Sequence, residues 1–441
     1  YFVRLAGRSD HYEISDGDLA DLAEWLNAER TAGNLRPENA YIASIHFRHP
    51  TLAFLAEDYA SFKWLTGGRT LVAPPSDTGI LLIPRSVDYR WAEPYLTSED
   101  ICWETEIPAG PDGAPAFDAY CPNSDLSLVV ARELDVDFSH IIRLEGYDLL
   151  SEPGVDGTLD LVLRWRVLNP PPTGDYQVFV HLLDAWNLPW GEKLPFQYPS
   201  AQWTPGEEFL DRIRLNLPPG TPPGDYQVEV GLYSPKEDRN LSVVRPDGNF
   251  GGTVARIPAT LSAAAEQSSL SDYRRPLDLQ VAPGLKLLGL NLDSDSVRTR
   301  EPIFLTLFWQ ASAPLDDMQI SLNLGDHALY QGAPVHNSFP TTIWRAGESV
   351  VDRYNPRVPL DMPAGEWPLT LRVTGPTGNS EPIELGRVQV TVPERSFSEP
   401  EMQVTLNAAL GDQVELLGYD LSGPDGGNVG LTLYWRAPVS Y

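Results

Sequence analysis

The chain has 441 residues, 42% of them hydrophobic, which predicts about three packed domains and excludes an intrinsically disordered protein. Acidic residues outnumber basic ones by 61 to 32, and the formal charge of -29 repels nucleic-acid phosphates and anionic lipid, so we exclude nucleic-acid binding. No apolar run approaches the roughly 20 residues of a membrane-spanning helix, and no secretory leader is visible.

Residues 1–97 predict a small α/β domain. Leu19, Leu22 and Leu26 follow helical spacing, which predicts one amphipathic helix between residues 15 and 30. Pro50 suits the first position of a second, short helix. Helices alternating with strands favour an α/β fold. We predict strands at 40–45, 62–65, 70–72 and 79–83.

The two cysteines of the chain, Cys102 and Cys121, lie in a predicted linker loop at residues 98–128. In an oxidising compartment they would close a loop of about 20 residues and stabilise the fold by roughly 3 kcal/mol. Two unrelated buried thiols explain the pair equally well. Neither cysteine belongs to the paired motifs of zinc or redox sites.

Alternating strands begin after this loop and continue to the end of the chain. Leu159, Leu161, Leu163 and Trp165 occupy every second position of one run, so one face of that strand is buried. Pro- and Gly-rich turns separate such runs at the spacing found in β-sandwiches. The predicted fold class is multidomain: a small N-terminal α/β domain followed by tandem all-β immunoglobulin-like, Greek-key sandwiches.

A duplicated motif indicates that the sandwich occurs more than once. The string Trp-x-x-Gly-Glu-x-x-x-Asp begins at Trp203 and again at Trp344. A third copy opens at Leu417 and reaches its first tryptophan strand before Tyr441, so we expect the sequence to end inside a domain. The predicted boundaries are a first repeat at 129–262, a linker at 263–275, a second repeat at 276–395, a linker at 396–411 and the start of a third repeat at 412–441.

The repeated motif is best explained by folding. Gly206 can adopt a turn conformation closed to other residues, and Asp211 can accept backbone amides. A calcium or ligand site at Glu207 and Asp211 is the alternative, although the motif supplies fewer than the roughly six oxygens that calcium needs. The segment from Pro222 to Tyr226 resembles a tyrosine corner, in which the hydroxyl fixes a neighbouring turn.

One loop of the first repeat carries the best candidate for ligand binding. Aromatic rings beside amide and carboxylate groups suit stacking and hydrogen bonding to sugars. The second repeat lacks the two tryptophans of this loop, so the fold does not need them. Long loops also pin themselves with their own aromatic side chains, and this alternative stays open. The candidate glycan-binding residues are Asp184, Trp186, Asn187, Trp190, Glu192 and Tyr198.

The sequence shows no recognisable catalytic or metal-binding site. His46 and His49 lack a carboxylate at ligand spacing, so a histidine satisfied by backbone contacts is favoured over a metal pair. The sequence has no nucleophile elbow, zinc-binding helix, phosphate loop or dinucleotide turn. We predict no catalytic residue, no metal ligand and no cofactor.

Several segments resemble bacterial family 39 glycosyltransferases. The aromatic start at Tyr1, the following helix and the segments 40–45, 49–55, 62–64 and 71–74 are similar to the soluble region after the last membrane helix of those enzymes. The sandwich motifs, among them Leu-x-Gly-Tyr-Asp-Leu and Pro-x-Gly-x-Tyr, resemble modules appended to such proteins in filamentous bacteria of the Chloroflexi type.

This resemblance implies a place on the extracytoplasmic face of the bacterial membrane, reached through upstream membrane helices. The family takes sugar from a polyprenyl phosphate carrier with acidic residues of a loop that this sequence lacks, so no catalytic residue is transferred. The sandwiches would act as spacers or would bind glycan or envelope polymer. A non-enzymatic adhesion or carbohydrate-binding array is the second hypothesis. A secreted hydrolase is the third, with Glu57, Asp58 and Asp88 as its undistinguished carboxylate candidates.

Overall fold

The computed structural model describes a chain built mainly from β-strands. Its elements group into an N-terminal unit, two β-sandwiches and one further sheet. Neither α-helix in the described part of the chain has the length and apolar character needed to span a bilayer. The described residues are 12, 14–73, 79–96, 107–121, 128–154, 157–171, 176–193, 196, 198–264, 270–376, 378–392, 398–411, 414–425 and 428–437.

The N-terminal unit is a four-stranded sheet with two helices. The elements of this region are α1 (Gly17–Ala32), β1 (Ala40–Ser44), α2 (Pro50–Leu55), β2 (Lys63–Thr66), β3 (Thr70–Ala73), β4 (Ile80–Pro84) and β5 (Phe117–Tyr120). The sheet order is β2-β1-β4-β5, with β1 parallel to β2 and β4, and β5 antiparallel at the edge. The predicted helices and first four strands are confirmed. β5 lies inside the predicted linker 98–128, so that prediction is wrong for these residues.

The two faces of this sheet belong to different cores. Ile42 and Leu82 pack with the buried side chains of the helices. Tyr41 and Leu81, which point to the opposite face because side chains alternate along a strand, join the core of the first sandwich. The helices therefore cover one face of the sheet and the sandwich covers the other.

Cys121 follows β5 at the edge of the N-terminal sheet. It is disulfide-bonded. Cys102, the partner that we predict, lies outside the described residues, so the pairing of these two cysteines stays a prediction.

The first sandwich follows the N-terminal unit. Its strands are β6 (Arg132–Phe138), β7 (Ile142–Leu149), β8 (Thr158–Val167), β9 (Gln177–Asp184), β10 (Pro189–Lys193), β11 (Glu208–Asn216), β12 (Gly224–Ser234), β13 (Arg239–Asn240), β14 (Val243–Val244) and β15 (Val254–Leu261). One sheet has the order β6-β7-β8-β11, and the other has the order β10-β9-β12-β15. From β7 onward this is the A-B-E and C′-C-F-G order of a fibronectin-like member of the immunoglobulin-like sandwiches.

The second sandwich repeats this topology. Its strands are β16 (Arg275–Ala282), β17 (Leu285–Leu292), β18 (Ser296–Arg298), β19 (Leu305–Ala311), β20 (Gln319–Leu324), β21 (His327–Gly332), β22 (Ser349–Tyr354), β23 (Gly365–Gly375), β24 (Gly378–Asn379) and β25 (Ile383–Thr391). The sheet orders are β16-β17-β19-β22 and β21-β20-β23-β25. The predicted fold class, tandem immunoglobulin-like sandwiches behind a small α/β unit, is confirmed.

Strand register also matches between the two sandwiches. Trp165 lies opposite Phe209, and Trp309 lies opposite Val350 at the same position of the motif. Both tryptophans are 0% exposed, as a core role requires. The predicted corner is present as well, because the Tyr226 hydroxyl donates to a backbone carbonyl four residues upstream at 2.8 Å.

A strand of the N-terminal unit belongs to the sheet of the first sandwich. β3 pairs antiparallel with β11, and Thr70 lies opposite Asp211 at one end of the ladder while Ala73 lies opposite Glu208 at the other. We expected this strand inside the α/β domain, and that expectation is wrong. One strand of the N-terminal unit thus extends a sheet of the first sandwich, while the other four strands of the unit form a separate sheet.

The last described unit is a three-stranded antiparallel meander. Its strands are β26 (Val404–Leu410), β27 (Val414–Asp425) and β28 (Asn428–Arg436). β26 falls in the predicted linker 396–411, which is therefore wrong for these residues. The meander matches β6-β7-β8 of the first sandwich and β16-β17-β19 of the second, but Trp435, the counterpart of Trp165, is 48% exposed.

Candidate functional site

The predicted glycan-binding loop is organised by Asp184 at the end of β9. One carboxylate oxygen accepts the backbone N–H groups of Trp186 and Leu188 at 2.9 and 3.0 Å. The other oxygen accepts the indole N–H of Trp190 at 2.8 Å. An aspartate that binds the backbone two residues onward fixes a tight turn. The role of Asp184 is thus to shape the loop.

Trp190 is enclosed by protein on the ring face that a sugar would need. Its side chain is only 3% exposed. The guanidinium carbon of Arg353, from the second sandwich, lies 4.2 Å from the ring centroid, a cation–π arrangement. Arg353 also donates a hydrogen bond to the carbonyl of Pro189. Trp190 therefore forms part of the contact between the first and the second sandwich.

Trp186 makes a second contact across the same junction. Its ring stacks on His336 of the second sandwich, with centroids 4.2 Å apart and planes 20° apart. The Nε2–H of His336 donates to the carbonyl of Arg353 at 2.8 Å. Burial lowers the pKa of His336, so the imidazole is neutral at pH 7. The stack therefore joins two uncharged rings.

The remaining candidate residues do not gather into one site. Tyr198 is fully buried, and its hydroxyl donates to Glu207 at 2.9 Å. Asn187 is exposed at the loop tip with a left-handed φ of 61°. Glu192 lies on β10 opposite His181, and its side chain lies outside the described part of the molecule. Since Trp190 and Tyr198 are buried, the six residues do not form an exposed sugar platform, and that prediction is corrected for these two.

A strained turn presents His336 to the junction. Val335, His336 and Asn337 have φ values of 52°, 50° and 65°, three successive residues in the left-handed region. This conformation is unfavourable for a β-branched residue such as Val335. Its backbone N–H faces the buried carboxyl of Asp352. Packing at the junction holds this turn in place.

Asp352, the last residue of the repeated motif, is buried beneath that turn. One of its oxygens accepts the Trp309 indole N–H at 3.0 Å and the Tyr354 hydroxyl at 2.7 Å. The other accepts no side-chain hydrogen bond among the described residues. Burial raises the pKa of Asp352 to about 7, against the effect of those two donors and of the Val335 backbone N–H. A buried carboxyl with a raised pKa, bonded to aromatic side chains, is a core residue and a poor calcium ligand.

The junction leaves little room for a ligand between the two sandwiches. The enclosed space beside Trp186 and His336 is about 20 Å³, enough for roughly one water molecule. A larger open cleft of about 410 Å³ lies next to it, bounded by Pro189, Phe304 and Arg353. Phe304 is 46% exposed in that cleft.

A second cluster joins the N-terminal unit to the first sandwich around Glu207. This carboxylate is 0% exposed and forms an ion pair with Lys63. It also accepts the Tyr41 hydroxyl at 2.5 Å and the backbone N–H of Thr204 at 2.8 Å. Beside it, the Gln202 amide binds the backbone of β2 in both directions. Glu207 of the motif is therefore an interface residue with every donor supplied by protein.

The carboxylates proposed for a hydrolase do not converge. Glu57 and Asp58 both pair with Arg30. Asp88 pairs with Arg90, whose hydrogen bonds lower the pKa of Asp88 to about 2. An acid catalyst needs a raised pKa, so this aspartate has the opposite property.

Metal binding finds no support within the described ranges. No group of three or more His, Cys, Asp or Glu side chains there is arranged to hold an ion. The His46 and His49 rings stack at 5.9 Å, and His49 accepts the backbone N–H of Thr51 at the start of α2. His49 has the backbone contact that we predicted.

Sequence reasoning missed the partners of both clusters. The sequence predicted no role for Arg353, His336 or Lys63, because each contacts residues far away in sequence. Lys63 and Glu207, for example, are 144 residues apart. One usable signal was the difference between repeats, since Gln202, which binds β2, aligns with Ile343 in the second motif.

Comparison with known proteins adds little. No family model matches the chain, and no curated protein matches it. Among solved structures it is similar to the ICAM-5 D1-D4 ectodomain fragment, with 15% identity, coverage of 66% of this chain and 76% of that one, and a TM-score of 0.19. It is also similar to red sea bream transglutaminase, with 14% identity, coverage of 59% of this chain and 32% of that one, and a TM-score of 0.15. A third similar structure is that of the chicken CNTN1 FN1-FN3 domains, with 10% identity, coverage of 55% of this chain and 66% of that one, and a TM-score of 0.16. These identities and TM-scores are too low to carry an argument about function.

Proposed function

We propose that these residues form a rigid, non-catalytic arm on the extracytoplasmic side of a membrane glycosyltransferase. The observation that carries the proposal is the shared sheet, in which β3 of the N-terminal unit pairs with β11 of the first sandwich. Backbone pairing over four residues, with a buried ion pair beside it, leaves these two units no hinge. A spacer that sets a distance needs such a fixed connection between its units.

The junction between the two sandwiches supports the same role. The backbone N–H of Val351, on β22, donates to the Gly220 carbonyl of the first sandwich at 2.8 Å. β22 is the counterpart of β11, so each sandwich receives the preceding unit on the edge of the same strand. Together with the Trp186 and Trp190 contacts, this fixes the second sandwich to the first.

The link to a glycosyltransferase rests on the sequence resemblance. The arm would then hold part of the protein at a set distance from the membrane, while transfer from the polyprenyl-phosphate carrier takes place elsewhere. The three acid candidates, Glu57, Asp58 and Asp88, are each paired with an arginine, which is consistent with such a division of labour.

The test uses the full-length protein with and without residues 276–395, the second sandwich, which has a core of its own, assayed for transfer of sugar from a polyprenyl-phosphate donor to a small acceptor. Transfer that survives the deletion supports a non-catalytic arm. Loss of transfer, with the membrane part shown to be intact by its thermal unfolding, contradicts it.

A carbohydrate-binding array is the second candidate, and the open cleft beside the junction favours it. This cleft places the exposed ring of Phe304 near the guanidinium of Arg353, and apolar rings beside a hydrogen-bond donor suit sugars. A glycan array tests it with Phe304→Ala. Retention that disappears in this variant supports binding in the cleft, and an array with no retained glycan rejects it.

A further inference from the structure

One asparagine of the first sandwich lies in the acceptor sequence for N-linked glycosylation. Asn240 is followed by Leu241 and Ser242, and Asn-x-Ser, in which x is any residue except proline, is the sequence that an oligosaccharyltransferase modifies. No other asparagine of the sequence has Ser or Thr two positions later. Since a motif of three residues also arises by chance, the structure around Asn240 decides whether it can carry a glycan.

Asn240 lies at the exposed end of a hairpin. It ends the two-residue strand β13, where it is paired antiparallel with Tyr233 near the end of β12, and residues 235–240 are all exposed. Within the described ranges the Asn240 carboxamide and the Ser242 hydroxyl have no hydrogen-bond partner, while the Ser242 backbone N–H donates to Ser139 at 3.1 Å. The fold therefore uses neither of the two side-chain groups that the acceptor sequence requires.

The ring of Tyr233 lies beside the position at which a first sugar would be attached. Residues directly opposite each other in an antiparallel pair point to the same face, with Cβ atoms about 5 Å apart. The Tyr233 hydroxyl donates to Asp238 at 2.6 Å, which holds the ring against the hairpin. A sugar linked to Asn240 would thus meet an apolar ring face and would not be crowded by another strand.

The middle residue of the acceptor sequence decides when transfer can take place. Leu241 is 2% exposed, and its backbone N–H donates to the Leu232 carbonyl at 2.7 Å. An enzyme that binds the segment on both sides of Asn240 needs Leu241 outside the core. Because β13 contributes only two residues to its sheet, it opens locally at a small cost in free energy. Transfer therefore belongs to the stage before Leu241 is buried, and the glycan then projects from the exposed side of the folded hairpin.

We propose that Asn240 is the acceptor of an N-linked glycan, transferred during export of the chain from an oligosaccharide on a polyprenyl diphosphate. The amide nitrogen of Asn240 forms a bond to C1 of the first sugar and loses one proton. The bond between C1 and the diphosphate oxygen breaks, and its electron pair leaves with the diphosphate. The inference rests on the extracytoplasmic location in the proposed function, and it does not depend on the rigidity of the arm.

Mass spectrometry of the peptide that contains Asn240 tests the glycan site. The whole chain is exported, behind an added leader, to the periplasm of a bacterial strain that supplies an oligosaccharyltransferase and its polyprenyl-diphosphate oligosaccharide. We expect the peptide mass to rise by one oligosaccharide, Asn240→Gln and Ser242→Ala each to abolish this rise, and Ser242→Thr to keep it. An unmodified Asn240, in cells that modify a known acceptor protein, overturns the proposal. Because the leader imposes export, this failure concerns Asn240 alone, whereas failure of the proposed function would appear in the sugar-transfer assay.

The second sandwich provides a matched control. Asn379 lies on the two-residue strand β24 opposite Thr374 of β23, as Asn240 lies opposite Tyr233. It is exposed as well, but Glu381 stands two positions later, where the acceptor sequence requires a hydroxyl. We expect Asn379 to stay unmodified in the wild type and to gain an oligosaccharide in Glu381→Ser. Modification of Asn379 in the wild type overturns the proposal, because transfer would then not follow the acceptor sequence.

Discussion

Replacing Lys63 with methionine tests the buried contact between the N-terminal unit and the first sandwich. Methionine keeps most of the length of the side chain and removes its charge. The Glu207 carboxylate would remain 0% exposed, with its counter-ion gone. We expect Lys63→Met to lower the free energy of unfolding by about 3 kcal/mol, the lower end of the range for breaking a buried pair. Tyr41, Tyr198 and Thr204 still donate hydrogen bonds to the carboxylate. Because these bonds remain, we expect the loss of stability to lie at the lower end of that range.

Glu207→Gln separates charge from packing. In the Lys63→Met background it removes the stranded charge, so the double variant should be less destabilised than the sum of the single variants by about 2 kcal/mol. Glu348→Gln is the matched control in the second sandwich. Glu348 is 6% exposed and accepts the Arg345 backbone N–H at 2.6 Å, and no lysine pairs with it in the described residues. We expect Glu348→Gln to lower the free energy of unfolding by about 1 kcal/mol.

Urea unfolding and amide exchange measure these effects together. Because the chain holds several domains, a local probe is needed beside the global transition. The backbone amides of β3 provide this local probe, since β3 pairs with β11 across the interface. Lys63→Met should speed their exchange, and Glu348→Gln should leave it unchanged. A Lys63→Met protein as stable as the wild type, or strictly additive single variants, would refute the reasoning.

Other parts of the structure give further expectations. The folded pKa of Asp352, about 7, lies above its ordinary value of 3.8, so the folded state holds a proton that the unfolded state lacks, and stability falls as pH rises between these values. The free energy of unfolding of the wild type, measured with urea, should fall by up to about 4 kcal/mol as the pH rises through this window. If the free energy of unfolding of Asp352→Asn had the same pH dependence as that of the wild type, this expectation would be contradicted. Trp190→Ala should lower the free energy of unfolding, measured by calorimetry, by about 3 kcal/mol. Trp186 is only half-buried, so Trp186→Ala should lower it by less than half as much. Equal losses in the two variants would contradict the different burial of the two rings. Tyr226→Phe should cost about 1 kcal/mol by removing the bond to the Pro222 carbonyl, and an unchanged melting temperature would disprove this.

Local pattern was sufficient wherever a residue acts within its own sandwich. The alternation that ends at Trp165 and its copy at Trp309 predicted two buried tryptophans, because the period of a strand decides which face is apolar. The tyrosine corner was likewise predictable, since donor and acceptor lie four residues apart.

Contacts between units could not be predicted from pattern. A four-residue apolar strand such as β3 has the same sequence character whichever sheet it joins, and only its pairing with β11 reveals the partner. The aromatic loop shows the same limit. The absence of Trp186 and Trp190 from the second repeat correctly indicated that a sandwich folds without them. It did not reveal that their partners, His336 and Arg353, lie in that second repeat.

The central claim is that the units form one rigid arm, and a distance across all of them tests it most directly. Spin labels at Glu24→Cys on α1 and Ala364→Cys before β23 occupy exposed positions at the two ends of the packed units. The account predicts a single narrow distribution of distances by pulsed electron resonance, broadened when Trp186 and Trp190 are both replaced by alanine. A broad distribution in the otherwise unmodified chain would contradict it.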